Sequence, residues 1–220
     1  PVTEADLAVD DMLRDRLCEA RPGYGWLSEE TPDSPERLTA DRVFVVDPID
    51  GTRAFIEGSS AFSHSLAVVE GGAVIAAVVY LPIRGKLYAA AKGGGATLND
   101  TPIRASETAR LHAAEVLATK HTLSPAHWPR GVPPVTRAYR PSLAYRMALV
   151  GEGRFDAMVT FRATWEWDIA AGALIIAEAG GRVTDAAGGA LRFNGAPPLL
   201  DGVMVAAPAL HAELVARRGP

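Results

Sequence analysis

The sequence predicts an α/β fold built around an antiparallel or mixed sheet. Short apolar segments rich in β-branched residues follow one another closely between residues 42 and 91, and helical patterns lie on both sides of them. Strands joined by short turns pair with their neighbours in sequence, whereas parallel strands need long crossover connections. The chain of 220 residues is long enough to bury a core, as one domain or as two lobes that share a core.

The first half of the chain is predicted to contain one helix followed by a loop and four strands. Thr3 has the properties of an N-cap, and the helix after it continues to Pro22-Gly23. Gly71-Gly72 is predicted to form a tight hairpin. The apolar residues that recur at helical spacing are Leu7, Met12, Leu13 and Leu17. The loop covers residues 28–41, and the predicted strands are 42–47, 63–70, 73–81 and 86–91.

The second half alternates less regularly between predicted strands and helices. The clearest helix begins at Asp168, is apolar almost all round, and stops at Gly180-Gly181, so we expect it to be buried between layers. Its small residues 170–172 predict a close approach to another element. The other predicted helices are 142–153 and 208–218, and the other predicted strands are 115–119, 154–161, 181–186 and 202–207.

Composition excludes several classes of partner. A formal charge of -4 and a pI of about 5.8 argue against nucleic-acid polymers and anionic membranes. The longest apolar run, 169–177, is too short to span a bilayer, and the acidic first residues lack the apolar core of a signal peptide. The single cysteine, Cys18, is predicted to be a buried, inert thiol and cannot form an internal disulfide. We therefore expect a cytoplasmic protein.

The segment VVDPIDGTRAF, residues 45–55, carries the chemistry. Pro48 fixes one backbone angle and Gly51 permits a sharp turn, so Asp47 and Asp50 can face one point at the end of a strand. Two carboxylates there raise each other's pKa unless a divalent cation lies between them. Magnesium suits such a site because it takes few protein carboxylates and shares oxygens with a phosphate. The amides of Gly51 and Thr52, at a predicted helix start, would hold that phosphate.

Four further acidic residues are candidates for the same site. Asp168 begins the buried helix, Glu29 and Glu30 lie in the loop before the Asp47 strand, and Asp6 lies in the first turn of the first helix. Taken singly, these residues are more often helix caps or solvated acids, and an Asp-Pro-x-Asp-Gly segment is often only a turn. Their joint appearance favours a metal site.

The ordered set of motifs resembles the inositol monophosphatase-like family of magnesium-dependent, lithium-sensitive phosphatases. The motifs are a SEE loop, DPIDGT followed by an aromatic residue, and WDIAAG with GG after its helix. The resemblance covers nearly the whole chain and implies a layered α/β/α/β/α sandwich with mixed, largely antiparallel sheets, often as a homodimer. It implies one catalytic domain over residues 1–220, with lobes of about 1–105 and 106–220. Family members usually carry a further helical segment before the VTEAD region.

The resemblance also implies roles for individual residues. One Mg²⁺ would be bound by Glu29, Asp47 and the Ile49 carbonyl, a second by Asp47, Asp50 and Asp168, and a third, weaker ion would lie near Glu29. The substrate-binding residues would be Glu29, Ile49, Asp50, Gly51, Thr52, Phe161 and Asp168.

The implied catalytic residues are Asp6, Glu29 and Thr52. Asp6 would hydrogen-bond to Thr52, and Thr52 and Glu29 would orient a metal-bound water that attacks phosphorus in line. The second metal ion would stabilise the leaving alkoxide. No catalytic histidine is required, and His64, in an alternating strand, is predicted to pack or hydrogen-bond there.

The expected substrate is a small phosphate ester, and three branches of the family are compared. Inositol-specific members commonly have a carboxylate seven residues before the WD aspartate, where this chain has Phe161. An aromatic residue there, together with Arg53 after DPIDGT, favours a 3'(2'),5'-bisphosphate nucleotidase acting on adenosine 3',5'-bisphosphate. Arg140 and Arg146 are candidates for a second phosphate contact. The alternatives are an inositol-1-phosphate or other sugar phosphate phosphatase, such as a fructose-1,6-bisphosphatase, and a phosphate-binding protein without turnover.

Overall fold

A computed structural model describes residues 1–219 and shows an α/β fold with two main sheets. The helices are α1 (Glu4–Ala20), α2 (Thr52–Ile56), α3 (Leu143–Gly151), α4 (Glu166–Glu178) and α5 (Pro208–Arg218). The strands are β1 (Gly25–Ser28), β2 (Arg42–Asp50), β3 (Ser63–Glu70), β4 (Ala73–Leu81), β5 (Lys86–Ala91), β6 (Gly95–Leu98), β7 (Thr101–Pro102), β8 (Glu115–Leu117), β9 (Thr136–Ala138), β10 (Ala157–Thr160), β11 (Thr164–Trp165), β12 (Arg182–Thr184), β13 (Leu199–Leu200) and β14 (Val203–Ala206).

The strand order confirms the predicted mixed, largely antiparallel sheets. The first sheet runs β1-β2-β3-β4-β5-β6-β7, with only β1 and β2 parallel. The second runs β12-β14-β10-β8-β9, where the pairs β10-β8 and β8-β9 are parallel. β11 and β13 form a separate antiparallel pair. Each main sheet therefore comes from one part of the chain, residues 25–102 and residues 115–206.

Five layers follow from the packing. α3 and α4 lie between the sheets, since their buried residues share one apolar core with β2, β4, β10 and β14. α1 packs on β2 at the outer face of the first sheet, and α5 packs on β14 at the outer face of the second. This is the predicted α/β/α/β/α sandwich. Within the described residues, no helix is long and apolar enough to cross a membrane.

Close contact between α3 and α4 depends on Gly172. A Cβ atom placed on Gly172 would lie 2.5 Å from Cβ of Met147. The small residues of α4 were predicted to permit such an approach, and the structure confirms it. The helix is buried on nearly all sides, as its continuous apolar sequence predicts.

The inner face of α1 differs from the prediction. Thr3 is the N-cap, with a capping box to Asp6, as expected. The buried residues of the helix, however, are Asp6 and Asp10, whereas Leu7 is 47% and Met12 50% exposed. The predicted apolar face is therefore wrong at these two positions, because α1 turns carboxylates inward. Cys18 is only partly buried, so the prediction of a buried thiol is also wrong.

Other element boundaries shift by a few residues. β2 extends through Asp50 and not only to Asp47, and α4 begins at Glu166, which makes Asp168 the third helical residue. The predicted hairpin at Gly71-Gly72 is confirmed, since both glycines have positive φ, 58° and 83°, which suits a two-residue turn.

Replacing Gly172 by alanine is expected to destabilise the protein by about 1–2 kcal/mol. Overpacking against Met147 costs roughly 1–3 kcal/mol, whereas the gain in helix propensity is at most about 1 kcal/mol. Urea unfolding measures the difference. Gly23→Ala is the matched control, because nothing lies within 4 Å of a Cβ placed there. Equal unfolding free energies for Gly172→Ala and wild type would contradict the proposed contact.

Candidate active site

A β-bulge brings Asp47 and Asp50 to one side of β2. Residues three apart in a regular strand face opposite sides of the sheet. Here Asp47 pairs with Ser65 and Asp50 pairs with Ser63, so three steps along β2 match two steps along β3. The extra residue reverses the alternation and points both carboxylates the same way. The sequence predicted the shared direction from the Pro48 turn, and the bulge is its structural cause.

Pro48 and His64 complete the bulge. A bulge leaves backbone groups without ladder partners, and proline has no amide to leave unpaired. The Pro48 carbonyl accepts a hydrogen bond from Nδ1 of His64, on the opposing strand. His64 thus stabilises the bulge from β3, which is the hydrogen-bonding role predicted for it.

Asp50 is held at the N-terminus of α3. Its Oδ2 accepts hydrogen bonds of 2.6 Å from Ser142 Oγ and 2.6 Å from the Ala144 amide. Ser142 is also the N-cap of α3, accepting from the Tyr145 amide at 3.0 Å. The positive end of the helix dipole lies beside the carboxylate. Sequence reasoning missed this use of Ser142, although a serine before an apolar helix is a recognisable N-cap signal.

Asp168 joins Asp47 and Asp50 from the first turn of α4. Each of the three residues offers a carboxylate oxygen, and these oxygens all lie within 4.8 Å of one another. Asp47 and Asp50 are buried, and Asp168 is partly exposed. Glu29 follows β1, the parallel neighbour of β2, and its side chain is exposed at the edge of this cluster.

The carboxylates raise one another's pKa. Burial, followed by the charges of Asp50 and Glu29, raises the pKa of Asp168 to about 8. Partial burial of its carboxyl group, followed by the charges of Glu30 and Asp50, raises the pKa of Glu29 to about 7. Burial also raises the pKa of Asp47, and that of Asp50 despite the hydrogen bonds from Ser142 and Ala144. A cation at this point would remove the repulsion.

The donor set fits a magnesium ion. Oδ1 of Asp47 is buried and has no hydrogen-bond partner among residues 1–219, and the charges of Asp50, Glu29 and Asp168 act on the Asp47 carboxylate. Such an orphaned oxygen is costly unless a cation occupies the position next to it. Carboxylate oxygens without nitrogen or sulfur ligands suit a hard cation such as Mg²⁺.

Thr52 and Asp6 lie beside the bulge. Thr52 Oγ1 lies 3.3 Å from Asp6 Oδ1 and 3.1 Å from the Ile49 carbonyl, and its single hydrogen can be donated to either. The other Asp6 oxygen accepts from the Thr3 amide at 2.8 Å. Thr52 is the first residue of α2, and Gly51 before it has φ of 97°, where glycine is favoured. The geometry therefore brings Asp6, Gly51 and Thr52 to the carboxylates.

Three residues considered for substrate recognition make contacts with side chains and carbonyls outside the carboxylate cluster. Phe161 packs beside Trp128 and His127, with ring centroids 5.3 and 5.2 Å away, and so lies with the cluster under α5. Its contact with substrate stays a prediction without structural support. Buried Arg146 donates to the carbonyls of Arg140 and Pro141 and lies over Tyr139, so it stabilises this loop. Arg140 lies over Phe155.

A layered α/β sandwich with a buried carboxylate cluster at the end of a strand fits a metal-dependent phosphomonoesterase. The chain belongs to the inositol monophosphatase family, whose model matches residues 1–219. Members of the family are Mg²⁺-dependent phosphatases of small phosphorylated substrates, and this chain is a phosphoric monoester hydrolase of that kind.

Individual relatives agree with this assignment. The chain is 37% identical to the inositol-1-monophosphatase of Rhizobium meliloti, over 86% of this chain and 73% of that protein. It is 38% identical to a fructose-1,6-bisphosphatase/inositol-1-monophosphatase of Thermotoga maritima, over 85% and 72%. The 2'AMP-bound structure of SaIMPase-II superimposes with a TM-score of 0.88 at 26% identity, covering 98% of this chain and 83% of the other.

The metal-free protein is expected to lose stability as the pH rises from about 4 to about 8. Asp168 and Glu29 have folded-state pKa values of about 8 and about 7, above their ordinary values of 3.8 and 4.5. The folded state therefore binds more protons than the unfolded state across this interval, so unfolding becomes easier with rising pH. Melting temperatures measured in chelator at pH 5.5 and 8.5 test the sign.

Asp168→Asn is the control for this pH dependence. It removes one of the titrating groups and should flatten the dependence, and saturating Mg²⁺ should flatten it in the wild type. A metal-free wild type that melts higher at pH 8.5 than at pH 5.5 would contradict the electrostatic account.

Proposed function

We propose that the protein hydrolyses inositol 1-phosphate or a closely related sugar phosphate at the carboxylate cluster. The observation that carries the proposal is the convergence of Asp47, Asp50 and Asp168 within 4.8 Å, next to the Thr52–Asp6 pair. Similarity to proteins named inositol-1-monophosphatase supports this substrate class.

The residues present would hold two magnesium ions. Glu29, Asp47 and the Ile49 carbonyl would bind one ion, and Asp47, Asp50 and Asp168 the other, with a third, weaker ion near Glu29. Bound Mg²⁺ supplies Lewis-acid chemistry: it neutralises phosphate charge and lowers the pKa of water. If Asp47 binds both ions, its Oδ1, which has no hydrogen-bond partner, would gain a ligand contact.

The homodimer implied by the family resemblance stays a prediction.

Thr52, Asp6 and Glu29 would position the attacking water. When Thr52 Oγ1 donates its hydrogen to Asp6, its lone pairs can accept a hydrogen bond from a water molecule. The Glu29 carboxylate would accept the second hydrogen bond and so fix the direction of attack. The oxygen of this water attacks phosphorus, the bond from phosphorus to the ester oxygen breaks, and the alcohol leaves with a proton.

The phosphate would be held by the start of α2. The first amides of a helix have no partner within the helix, and those of Gly51 and Thr52 lie directly after the bulge. They would donate to phosphate oxygens and stabilise the charge that develops during attack.

Adenosine 3',5'-bisphosphate is the second candidate substrate. The binding of 2'AMP by a protein of the same fold supports the acceptance of a nucleotide. The sequence favoured this substrate on the basis of Phe161, whose ring lies beside Trp128 and His127. The proposal therefore reverses the predicted order and places the inositol phosphate first.

Asp50→Asn is expected to lower phosphate release roughly a hundredfold or more, because it removes a charge that the cation requires. The assay measures phosphate released from inositol 1-phosphate in Mg²⁺. Asp41→Asn, an exposed aspartate directly before the other end of β2, is the matched control and should leave the rate unchanged. If wild type releases no phosphate from a broad panel yet binds phosphate esters, the protein is a binding protein without turnover.

The substrate order is tested by comparing kcat/KM for three esters at saturating Mg²⁺. We expect the highest value for inositol 1-phosphate, then adenosine 3',5'-bisphosphate, then fructose 1,6-bisphosphate. Phe161→Ala should change the first two values equally, because the ring packs under α5. A selective loss of the nucleotide activity in this variant would restore the nucleotidase assignment.

A further inference from the structure

A chain of polar contacts, in which Arg37 and Glu166 are buried, connects the loop that follows Glu29 to the first turn of α4. Arg37, in a short 3-10 turn after this loop, is 2% exposed. Its Nε and Nη2 donate to the two carboxylate oxygens of Asp33 at 2.6 and 2.8 Å. Such a two-point contact fixes the plane of the guanidinium group and directs its remaining hydrogens.

Those remaining hydrogens reach Asn194 and Gly195. Nη1 donates to Asn194 Oδ1 at 2.5 Å, and Nη2 donates to the Gly195 carbonyl at 2.8 Å. Asn194 Nδ2 donates back to the Arg37 carbonyl at 3.3 Å. The side chain of Arg37 is therefore bonded to two segments that lie far apart in sequence.

Glu166 contacts the same two residues from the other side. Its carboxylate accepts from the amides of Asn194 and Gly195 at 2.6 and 2.7 Å. Glu166 is 1% exposed and is the first residue of α4, two residues before Asp168. The chain of contacts Asp33–Arg37–Asn194/Gly195–Glu166 is called the relay below.

The relay links the two elements that carry Glu29 and Asp168. Asp47 and Asp50 are fixed by one strand, but Glu29 and Asp168 lie on separate elements. Asp168 has a carboxylate oxygen within 4.8 Å of those of Asp47 and Asp50, and like charges at this distance repel one another. A link between the two elements keeps the ligands close before a cation binds. It thereby lowers the free energy needed to bring the ligands together when the cation binds.

We propose that Arg37 is a positioning residue for cation binding, acting on Glu29 and Asp168 through the relay. The inference rests on the proposed metal site. Lysine cannot replace arginine fully, because a single ammonium group cannot donate in one plane to Asp33, Asn194 and Gly195 together.

Isothermal titration of metal-free protein with Mg²⁺ tests the proposal. Arg37→Met should raise the Mg²⁺ dissociation constant roughly tenfold, in line with the loss of other groups that orient metal ligands, and Arg37→Lys by less. The midpoint of Mg²⁺ activation should shift by the same factor, while kcat at saturating Mg²⁺ changes little. The melting temperature in chelator is recorded for each variant.

Two further variants keep the test decisive. Asn194→Gly removes the two side-chain contacts with Arg37, keeps the backbone amide that donates to Glu166, and tolerates the φ of 63° at this position. It should also weaken Mg²⁺ binding, and it serves if Arg37→Met does not fold. Lys86→Met is the matched control: it breaks a partly buried pair with Glu152 at the far end of α3 and should leave Mg²⁺ binding unchanged.

The possible outcomes test the relay and the proposed function separately. Wild-type Mg²⁺ binding with unchanged dissociation constants in Arg37→Met and Asn194→Gly would overturn the relay and leave the proposed function intact, even if both variants melt lower. No Mg²⁺ binding by wild type would overturn the proposed function and the relay together.

Discussion

Repulsion between converging carboxylates is the constraint around which this protein is organised. Asp47, Asp50 and Asp168 lie within 4.8 Å of one another, and their pKa values are all raised. In an unfolded chain these carboxylates would move apart or become protonated. The fold prevents separation because Asp47 and Asp50 are fixed on β2 and Asp168 is fixed on α4. A cation that binds between them relieves the repulsion, and this relief contributes to its affinity.

The serines of β3 show how closely this attachment follows the bulge. Ser63, opposite Asp50, lies 3.0 Å from the hydroxyl of Ser142 at the start of α3. Ser65, opposite Asp47, donates at 3.0 Å to the Trp167 carbonyl in the first turn of α4. Both serines are buried. The two strand positions that face the aspartates therefore also hold the helix starts, and the positive helix ends are directed at the negative cluster.

The sequence predicted most helices and strands and the shared direction of Asp47 and Asp50 because these depend on local patterns, whereas the five layers were implied by the family resemblance. Alternating apolar residues, glycine turns and acidic motifs are visible in a single chain. It did not predict the bulge, because bulges arise from pairing with a partner strand, nor Ser142 and Arg37, whose partners lie 92 and 157 residues away. Phe161 illustrates the same limit: its sequence spacing to Asp168 was informative, but the direction of its ring depends on Trp128 and His127.

In helix α1, the spacing of the apolar residues predicted the wrong inward face, and the contacts of the helix show why. Its buried positions are Asp6 and Asp10, one helical turn apart, and each makes hydrogen bonds at the site. Asp6 contacts Thr52, and Asp10 accepts hydrogen bonds from Ser28 and Thr31, on either side of the Glu29–Glu30 pair. One helix face therefore sets the positions of the Thr52 hydroxyl and of the Glu29 loop relative to each other. Apolar residues on that face would pack better but would leave both groups unplaced, so the acidic face follows from the chemistry at the end of β2.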